Sequence, residues 1–148
     1  MEVDIFIPCF IDQLYPETGF NMVKILEKLG VKVHYNANQT CCGQMAFNSG
    51  FWDEARELGV KFLKDFPGNR PVVSPSASCV GYSRNYYDKL FHNTPWHLEN
   101  KTISQNIFEI EEVVHEVKAG GKTREDAEIR KQTKIEDAVK AEEEAEKE

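Results

Sequence analysis

The chain has 148 residues, 41% of them hydrophobic, which is enough for one domain with a core but not for a second full domain. The formal net charge is −7, and the sequence contains no basic patch. Both observations argue against nucleic-acid binding, because the affinity for nucleic acid depends on neutralising phosphates. No run of about 18 apolar residues is present, so no membrane span is expected. The start, MEVDIFIP, lacks the basic segment of a secretory signal, which predicts a cytoplasmic protein.

The first 91 residues alternate between two hydrophobic periods. Three short apolar runs are typical of buried strands: 3–8, 31–36 and 70–75. Three segments with helical spacing of apolar residues follow them in turn: 17–30, 51–68 and 81–91. The spacing predicts the inner faces of the first two helices: Phe20, Val23 and Leu26, and then Phe51, Ala55, Leu58, Phe62 and Phe66. This alternation predicts an α/β fold, a three-layer Rossmann-like parallel sheet with flanking helices, plus C-terminal helices.

The remaining residues predict a long helix and a tail. After a break at 92–100, apolar residues recur every three or four positions over 101–118, which predicts one amphipathic helix that includes Ile107. Residues 123–148 contain no aromatic side chain and end in a run of charges. We therefore predict a single domain over 1–118 and a charged helical or disordered tail over 119–148.

All four cysteines lie at the C-terminal end of a predicted strand or in the loop just beyond it: Cys9, Cys41, Cys42 and Cys79. Because the C-terminal ends of parallel strands meet at one edge of a sheet, the topology is expected to bring these thiols together. Structural disulfides are not expected in a reducing compartment, and a disulfide between adjacent cysteines closes a strained ring. Four thiolates can bind a tetrahedral Zn²⁺ or an iron–sulfur cluster, and the residues alone leave both open.

Residues next to the cysteines are expected to support the site. Gly43 allows a close backbone approach after the double cysteine. Candidates to line the site follow the cysteines in the chain: Asp12, Gln13, Gln44 and Asn48. Helical packing is the role that the position of Tyr87 indicates.

The histidines are the other candidates for chemistry. His34 lies in a predicted strand, His92 and His97 follow the third helix, and His115 lies on the amphipathic helix. No arrangement of serine, histidine and aspartate typical of a hydrolase stands out. No glycine-rich nucleotide-binding motif is present either, so the chain has no visible site for a nicotinamide, a flavin or a nucleotide.

The cysteine spacing resembles a known family. Cys9 is followed by 31 intervening residues and the sequence Cys-Cys-Gly at 41–43, and 36 residues separate Cys42 from Cys79 within SCVG. This pattern resembles the cysteine-rich CCG domain of the heterodisulfide reductases, the glycolate oxidase iron–sulfur subunit and lactate utilization protein A. The segments IPCFIDQLYPETG, QTCCGQMAFNSG and PSASCVGYSR are most similar to the lactate utilization branch, and the resemblance covers about residues 3–118.

The resemblance implies an iron–sulfur electron-transfer subunit of an oxidoreductase that acts in L-lactate or related 2-hydroxy-acid oxidation. It implies that Cys9, Cys41, Cys42 and Cys79 bind a [4Fe–4S] cluster, with zinc as the alternative. The implied partners are other oxidoreductase subunits or a second CCG half, in a homo- or hetero-oligomer. Two alternative functions stay open: a zinc-stabilised assembly module, and a thiol–disulfide enzyme like heterodisulfide reductase.

The chain departs from the family pattern in two ways. The fuller motif ends in CxxC, and Tyr82 stands at the matching position here. Family members normally contain two CCG repeats, and this chain has one.

Overall fold

The computed structural model describes residues 1–120. Its four strands are β1 (Glu2–Ile5), β2 (Lys32–Tyr35), β3 (Val72–Ser74) and β4 (Ile107–Glu109). Its helices are α1 (Cys9–Leu14), α2 (Pro16–Lys28), α3 (Gln44–Asn48), α4 (Trp52–Asp65), α5 (Ala77–Asn85), α6 (Tyr87–Phe91), α7 (His97–Asn106) and α8 (Ile110–Lys118). None of these helices is long and apolar enough to cross a membrane.

The strands form one parallel sheet in the order β2-β1-β3-β4, which confirms the predicted α/β class. Val3 pairs with Val33 of β2, and Ile5 pairs with Val73 of β3. The two central strands are buried almost throughout, as expected for a parallel sheet covered by helices. The chain passes from β1 to β2 on one side of β1, and it then returns to β3 on the other side of β1. β1 and β3 therefore flank a topological switch point, where α/β sheets place their binding sites.

An aromatic cluster fills the core beneath the sheet. Phe6, which follows β1, packs edge-on against Phe62 of α4 with ring centroids 4.9 Å apart. Phe62 in turn contacts Phe66 and the buried ring of Tyr87. The helical spacing of residues 51–68 correctly indicates that Ala55 and Phe62 face the core, but Phe51, which fits the same spacing, is exposed. On α2 the spacing is misleading, because Phe20 is exposed and Met22 is buried instead.

The predicted helix over 101–118 is wrong. A helix already begins at His97, inside the predicted break, and it ends at Asn106. Ile107 then pairs with Val72 at the open edge of β3, and α8 begins three residues later. The Asn106 side chain donates to the carbonyls of Gly68 (3.1 Å) and Arg70 (2.9 Å). These side-chain hydrogen bonds and the pairing of β4 with β3 replace the helical hydrogen bonds at this point.

Arg84 of α5 holds the new strand in place. Its guanidinium donates to the Ile107 carbonyl at 2.6 Å and to the Glu112 carboxylate at 2.7 Å. The buried Ile107 side chain joins the core cluster. Apolar residues spaced three and four apart fit this strand and its flanking helices as well as they fit one long helix.

The domain boundary stays a prediction. Contacts divide the chain into a compact unit over residues 1–113 and a second unit that begins at Val114. The predicted tail, 119–148, lies almost wholly outside the described residues.

Two glycines inside helices give a test of the core packing. A Cβ atom on Gly59 of α4 would lie 2.7 Å from Cζ of the fully buried Phe91, whereas a Cβ on Gly81 of α5 would meet nothing within 4 Å. We expect Gly59→Ala to lower the free energy of unfolding by about 1–3 kcal/mol through overpacking. The matched Gly81→Ala is expected to raise it by up to about 1 kcal/mol, because alanine favours helix. Urea denaturation measures both, and equal effects would contradict the close contact between α4 and α6.

Candidate functional site

The ends of three strands bring the four cysteines to one edge of the sheet. Cys9 begins α1 after β1, Cys41 and Cys42 follow β2, and Cys79 lies in the first turn of α5 after β3. All four are free thiols. The sulfur atoms of Cys9 and Cys41 are 3.6 Å apart, and the Cys42 thiol lies within hydrogen-bonding range of the sulfurs of Cys41 and Cys79.

The sulfurs are arranged as an open series rather than a compact group. Each contacts the next in the order Cys9, Cys41, Cys42, Cys79. Among residues 1–120, no three of these sulfurs all lie within 4.8 Å of one another. Sulfurs around a single tetrahedral Zn²⁺ lie about 3.8 Å apart, given Zn–S bonds of about 2.3 Å. The 3.6 Å between the sulfurs of Cys9 and Cys41 is close to that spacing, so the positions of the sulfurs leave both a zinc ion and a cluster open.

Two of the cysteines are disposed to ionise. The hydrogen bond from the Cys42 thiol lowers the pKa of Cys41 to about 5, with help from the Gly43 amide, whose N–H donates to the Cys41 sulfur at 3.4 Å. The same thiol lowers the pKa of Cys79 to about 7, with further hydrogen bonds from Ser76 and Ser78. Thiolate is the form that binds metal, so this edge presents two ready ligands.

The other two cysteines are held neutral. The hydrogen bonds to Cys41 and Cys79, together with burial, raise the pKa of Cys42 well above its ordinary value. Burial and the neighbouring Cys41 raise the pKa of Cys9. Adjacent thiols cannot all carry a negative charge, because like charges at this separation disfavour further ionisation. Full ionisation of the four therefore requires a positively charged group bound among them.

The side chain of Gln39 joins the first two loops of the site. Its amide nitrogen donates to the carbonyls of Ile5 (3.1 Å) and Asn36 (2.9 Å), and its oxygen accepts from the Ile7 amide at 2.7 Å. Two of these hydrogen bonds connect the end of β1 to the loop after β2, and the third lies within that loop. They hold Cys9 and Cys41 together, and the sequence offered no sign of this role.

The double cysteine is fixed by its neighbours in the fold. The buried Tyr87 hydroxyl donates to the Cys42 carbonyl at 2.6 Å, although helical packing was the only role its position in the sequence indicated. Gly43 has a φ of +94°, and a Cβ there would lie 3.1 Å from the Ala55 carbonyl. The expectation that Gly43 allows a close backbone approach is thus confirmed.

Tyr82 lies three residues after Cys79 on α5, where the family pattern has a further cysteine. Its ring is buried against Phe47 and Tyr87, with centroids 5.4 Å and 5.1 Å away. Its hydroxyl is buried and has no hydrogen-bond partner among the described residues. Burial and the charges of Cys42 and Cys41 raise the pKa of Tyr82, so the hydroxyl keeps its proton and an unused donor beside the site.

A cavity of about 250 Å³ opens next to Cys9 and Cys41. Asp12 and Gln13, which the sequence indicated as possible lining residues, do line it. Gln44 instead contacts Cys79, with its oxygen 4.0 Å from the sulfur. Exposed apolar side chains lie close to the site in the chain, on α1 and α3: Phe10, Leu14 and Met45.

Comparisons with known proteins agree with the cysteine pattern. Lactate utilization protein A of Geobacillus kaustophilus (strain HTA426) is 38% identical over 79% of this chain and 49% of its own length. The protein of the same name from Macrococcus caseolyticus (strain JCSC5402) is 33% identical over 79% of this chain and 48% of its own length. The chain thus spans about half the length of these curated relatives. No solved structure matches it.

A family model also matches the part of the chain that carries the site. It covers residues 3–82, from β1 through the helix that bears Cys79, and it describes a cysteine-rich domain. The match includes all four cysteines and the three loops that bring them together. The chain therefore belongs to the CCG cysteine-rich domain family.

Proposed function

We propose that the chain is an iron–sulfur electron-transfer subunit of a cytoplasmic oxidoreductase that acts in L-lactate or related 2-hydroxy-acid oxidation. In this proposal Cys9, Cys41, Cys42 and Cys79 bind a [4Fe–4S] cluster. The observation that carries the proposal is the convergence of four free thiols from three loops on one edge of a parallel sheet. A reducing compartment keeps such thiols free.

The donor set suits an iron–sulfur cluster. Four thiolates are the usual ligands of [4Fe–4S] clusters, which supply one-electron transfer at potentials that their surroundings adjust. The lowered pKa of Cys41, about 5, makes it a thiolate at neutral pH, and Cys79, with a pKa of about 7, is about half ionised there. A cationic group would draw the remaining thiols into ionisation.

The rest of the chain positions these ligands. Gln39 joins the loops that carry Cys9 and Cys41, and Tyr87 fixes the backbone of Cys42. The buried rings beside Cys79 exclude water from that side of the site, which lowers the local dielectric and strengthens the electrostatic effect of nearby donors.

The proposed substrate and partner rest on the relatives and on the exposed surface. The names of the similar proteins concern lactate utilization, and their length is about twice the part matched here. A cluster alone moves single electrons, whereas oxidation of lactate to pyruvate removes two. We therefore propose a partner, another oxidoreductase subunit or a second CCG half, that docks on Phe10, Leu14 and Met45.

Metal analysis tests the proposal directly. Protein purified without oxygen is expected to contain about four iron and four sulfide per chain and to show an electron paramagnetic resonance signal on reduction. Cys42→Ser is expected to lose most of this iron, because a hydroxyl is a poor ligand for a soft site. One zinc per chain without iron or sulfide, under the same conditions, would instead support the zinc-stabilised assembly module.

Tyr82 allows a sharper test of the bound group. An unpartnered buried hydroxyl costs about 1–3 kcal/mol, so Tyr82→Phe is expected to leave the metal-free protein equally stable or more stable. In the loaded protein the same change is expected to lower the reduction potential, because hydrogen bonds to cluster sulfur favour the more negative reduced state. Potentiometry and urea denaturation measure the two effects.

The matched control is Tyr86→Phe, since Tyr86 ends the same helix and is 45% exposed. It is expected to change neither quantity. A reduction potential that is identical in wild type and Tyr82→Phe would show that the Tyr82 hydroxyl has no role toward the bound group.

One observation favours thiol–disulfide chemistry as a second candidate function. Cys41 is partly exposed beside the cavity, and its pKa of about 5 makes it a thiolate nucleophile at neutral pH. In metal-free reduced protein, alkylation of Cys41 is expected to rise with pH through about 5 and to level off before pH 7. Cys9, whose pKa is raised, is expected to react only at much higher pH.

Peptide mass spectrometry across a pH series reads the four rates separately. If all four cysteines react equally slowly, with midpoints near the ordinary thiol pKa of about 8.5, the electrostatic account of Cys41 is wrong. If Cys41 reacts first but the anaerobic protein contains iron and sulfide, its thiolate serves as a ligand rather than as a nucleophile.

A further inference from the structure

A second group of metal-binding side chains lies between α6 and α7, apart from the cysteines in the sequence. Asp88 belongs to α6, His92 follows the end of that helix, and His97 begins α7. One donor atom from each of the three lies within 4.8 Å of the other two. No other cluster of three such residues at this spacing occurs among residues 1–120.

The donor atoms of this cluster are poorly used by the fold. Oδ1 of Asp88 and Nδ1 of His97 are buried atoms, and neither has a hydrogen-bond partner among the described residues. Within that part of the chain, the aspartate oxygen makes a single interaction, an ion pair with Lys101 at 3.4 Å. Buried polar atoms normally find hydrogen-bond partners, so two such atoms without one in the same cluster point to a ligand that both could bind.

The turn between the helices holds the two imidazoles close together. Asn93 has a φ of +57°, and the Thr94 hydroxyl donates to the Phe91 carbonyl at 2.7 Å. The rings of His92 and His97 meet edge to face with centroids 5.8 Å apart. Because Phe91 and Asn100 are buried on either side of the turn, the cluster is anchored at both ends while His92 stays exposed to incoming ions.

We propose that Asp88, His92 and His97 form a binding site for a divalent transition-metal ion of the zinc type. Two imidazoles and one carboxylate are a ligand set for such ions, and three protein ligands leave a coordination position for water or a further donor. Ligand atoms around tetrahedral Zn²⁺ lie about 3.3 Å apart, so small side-chain rotations bring these donors to the ion. This site is independent of the group at the cysteines and of the proposed electron transfer.

Lys101 provides a test that distinguishes metal binding by the cluster from a purely structural role. Its ammonium group lies 3.4 Å from the Asp88 oxygen, where a bound cation would meet it as a like charge. Removal of this charge is expected to tighten metal binding by about fivefold, in line with the modest strength of exposed ion pairs. If the cluster served only to hold the turn, Lys101→Gln would instead leave metal binding unchanged.

The experiment is calorimetric titration of the full chain, as isolated, with Zn²⁺. The wild type is expected to bind one equivalent that does not displace the group at the cysteines, as judged by an unchanged content of that group. His92→Gln is expected to weaken this binding by at least about tenfold. Mutation of a residue that only hydrogen-bonds to a metal ligand already lowers metal affinity by about that factor. Because His92 is exposed, the variant should fold normally, and a thermal melt checks this.

His115→Gln is the matched control, because it removes an exposed histidine of α8 that lies outside the cluster. It is expected to bind Zn²⁺ like the wild type. The proposal is wrong if the wild type binds no such equivalent, if His92→Gln binds it as tightly as His115→Gln does, or if Lys101→Gln fails to tighten it.

Discussion

The central position of β1 in the sheet is the constraint on which the site depends. Its pairing with β2 on one side and with β3 on the other sets the directions in which the three following loops leave the sheet. A strand order of 2-1-3 places the switch in chain direction beside β1, so the loops that bear the thiols leave the sheet at the same edge. Loss of either pairing would separate sulfurs that are distant in sequence. The geometry of the site is thus a property of the sheet rather than of any short motif.

Electrostatic interactions among the four thiols prevent all of them from ionising while no other group is bound. Cys42 stabilises the thiolates of Cys41 and Cys79 and stays protonated because it does so. The arrangement resists the full ionisation that four metal ligands require, unless a cation balances the charge. Metal affinity at this edge is therefore coupled to proton release, and the protein gives up at least the protons of Cys9 and Cys42 when a group binds all four.

The sequence predicts the parallel sheet and the clustering of the thiols, because strand composition and strand-end position are local signals. It does not predict Gln39 or Tyr87, whose hydrogen bonds join residues 34 and 45 positions apart and exist only in the folded chain. Ile107 was misplaced because a spacing of three and four does not distinguish one helix from a helix, a short edge strand and another helix. Phe20 was misplaced because large apolar residues are not always buried, and Met22 fills the core position on α2.

The hydrogen bond from Tyr87 to the Cys42 carbonyl joins the hydrophobic core to a loop that bears functional groups. These two parts of a protein usually differ in stability. Tyr87 is wholly buried and packs on Phe62 and Phe91, so its hydroxyl moves only if the aromatic core moves. Loops that bear functional groups commonly open by local fluctuation at little cost. Here the carbonyl of Cys42 accepts a hydrogen bond from the core, so the loop opens at this point only if that bond breaks. The position of the double cysteine therefore depends on the stability of the aromatic core, although it lies in a loop.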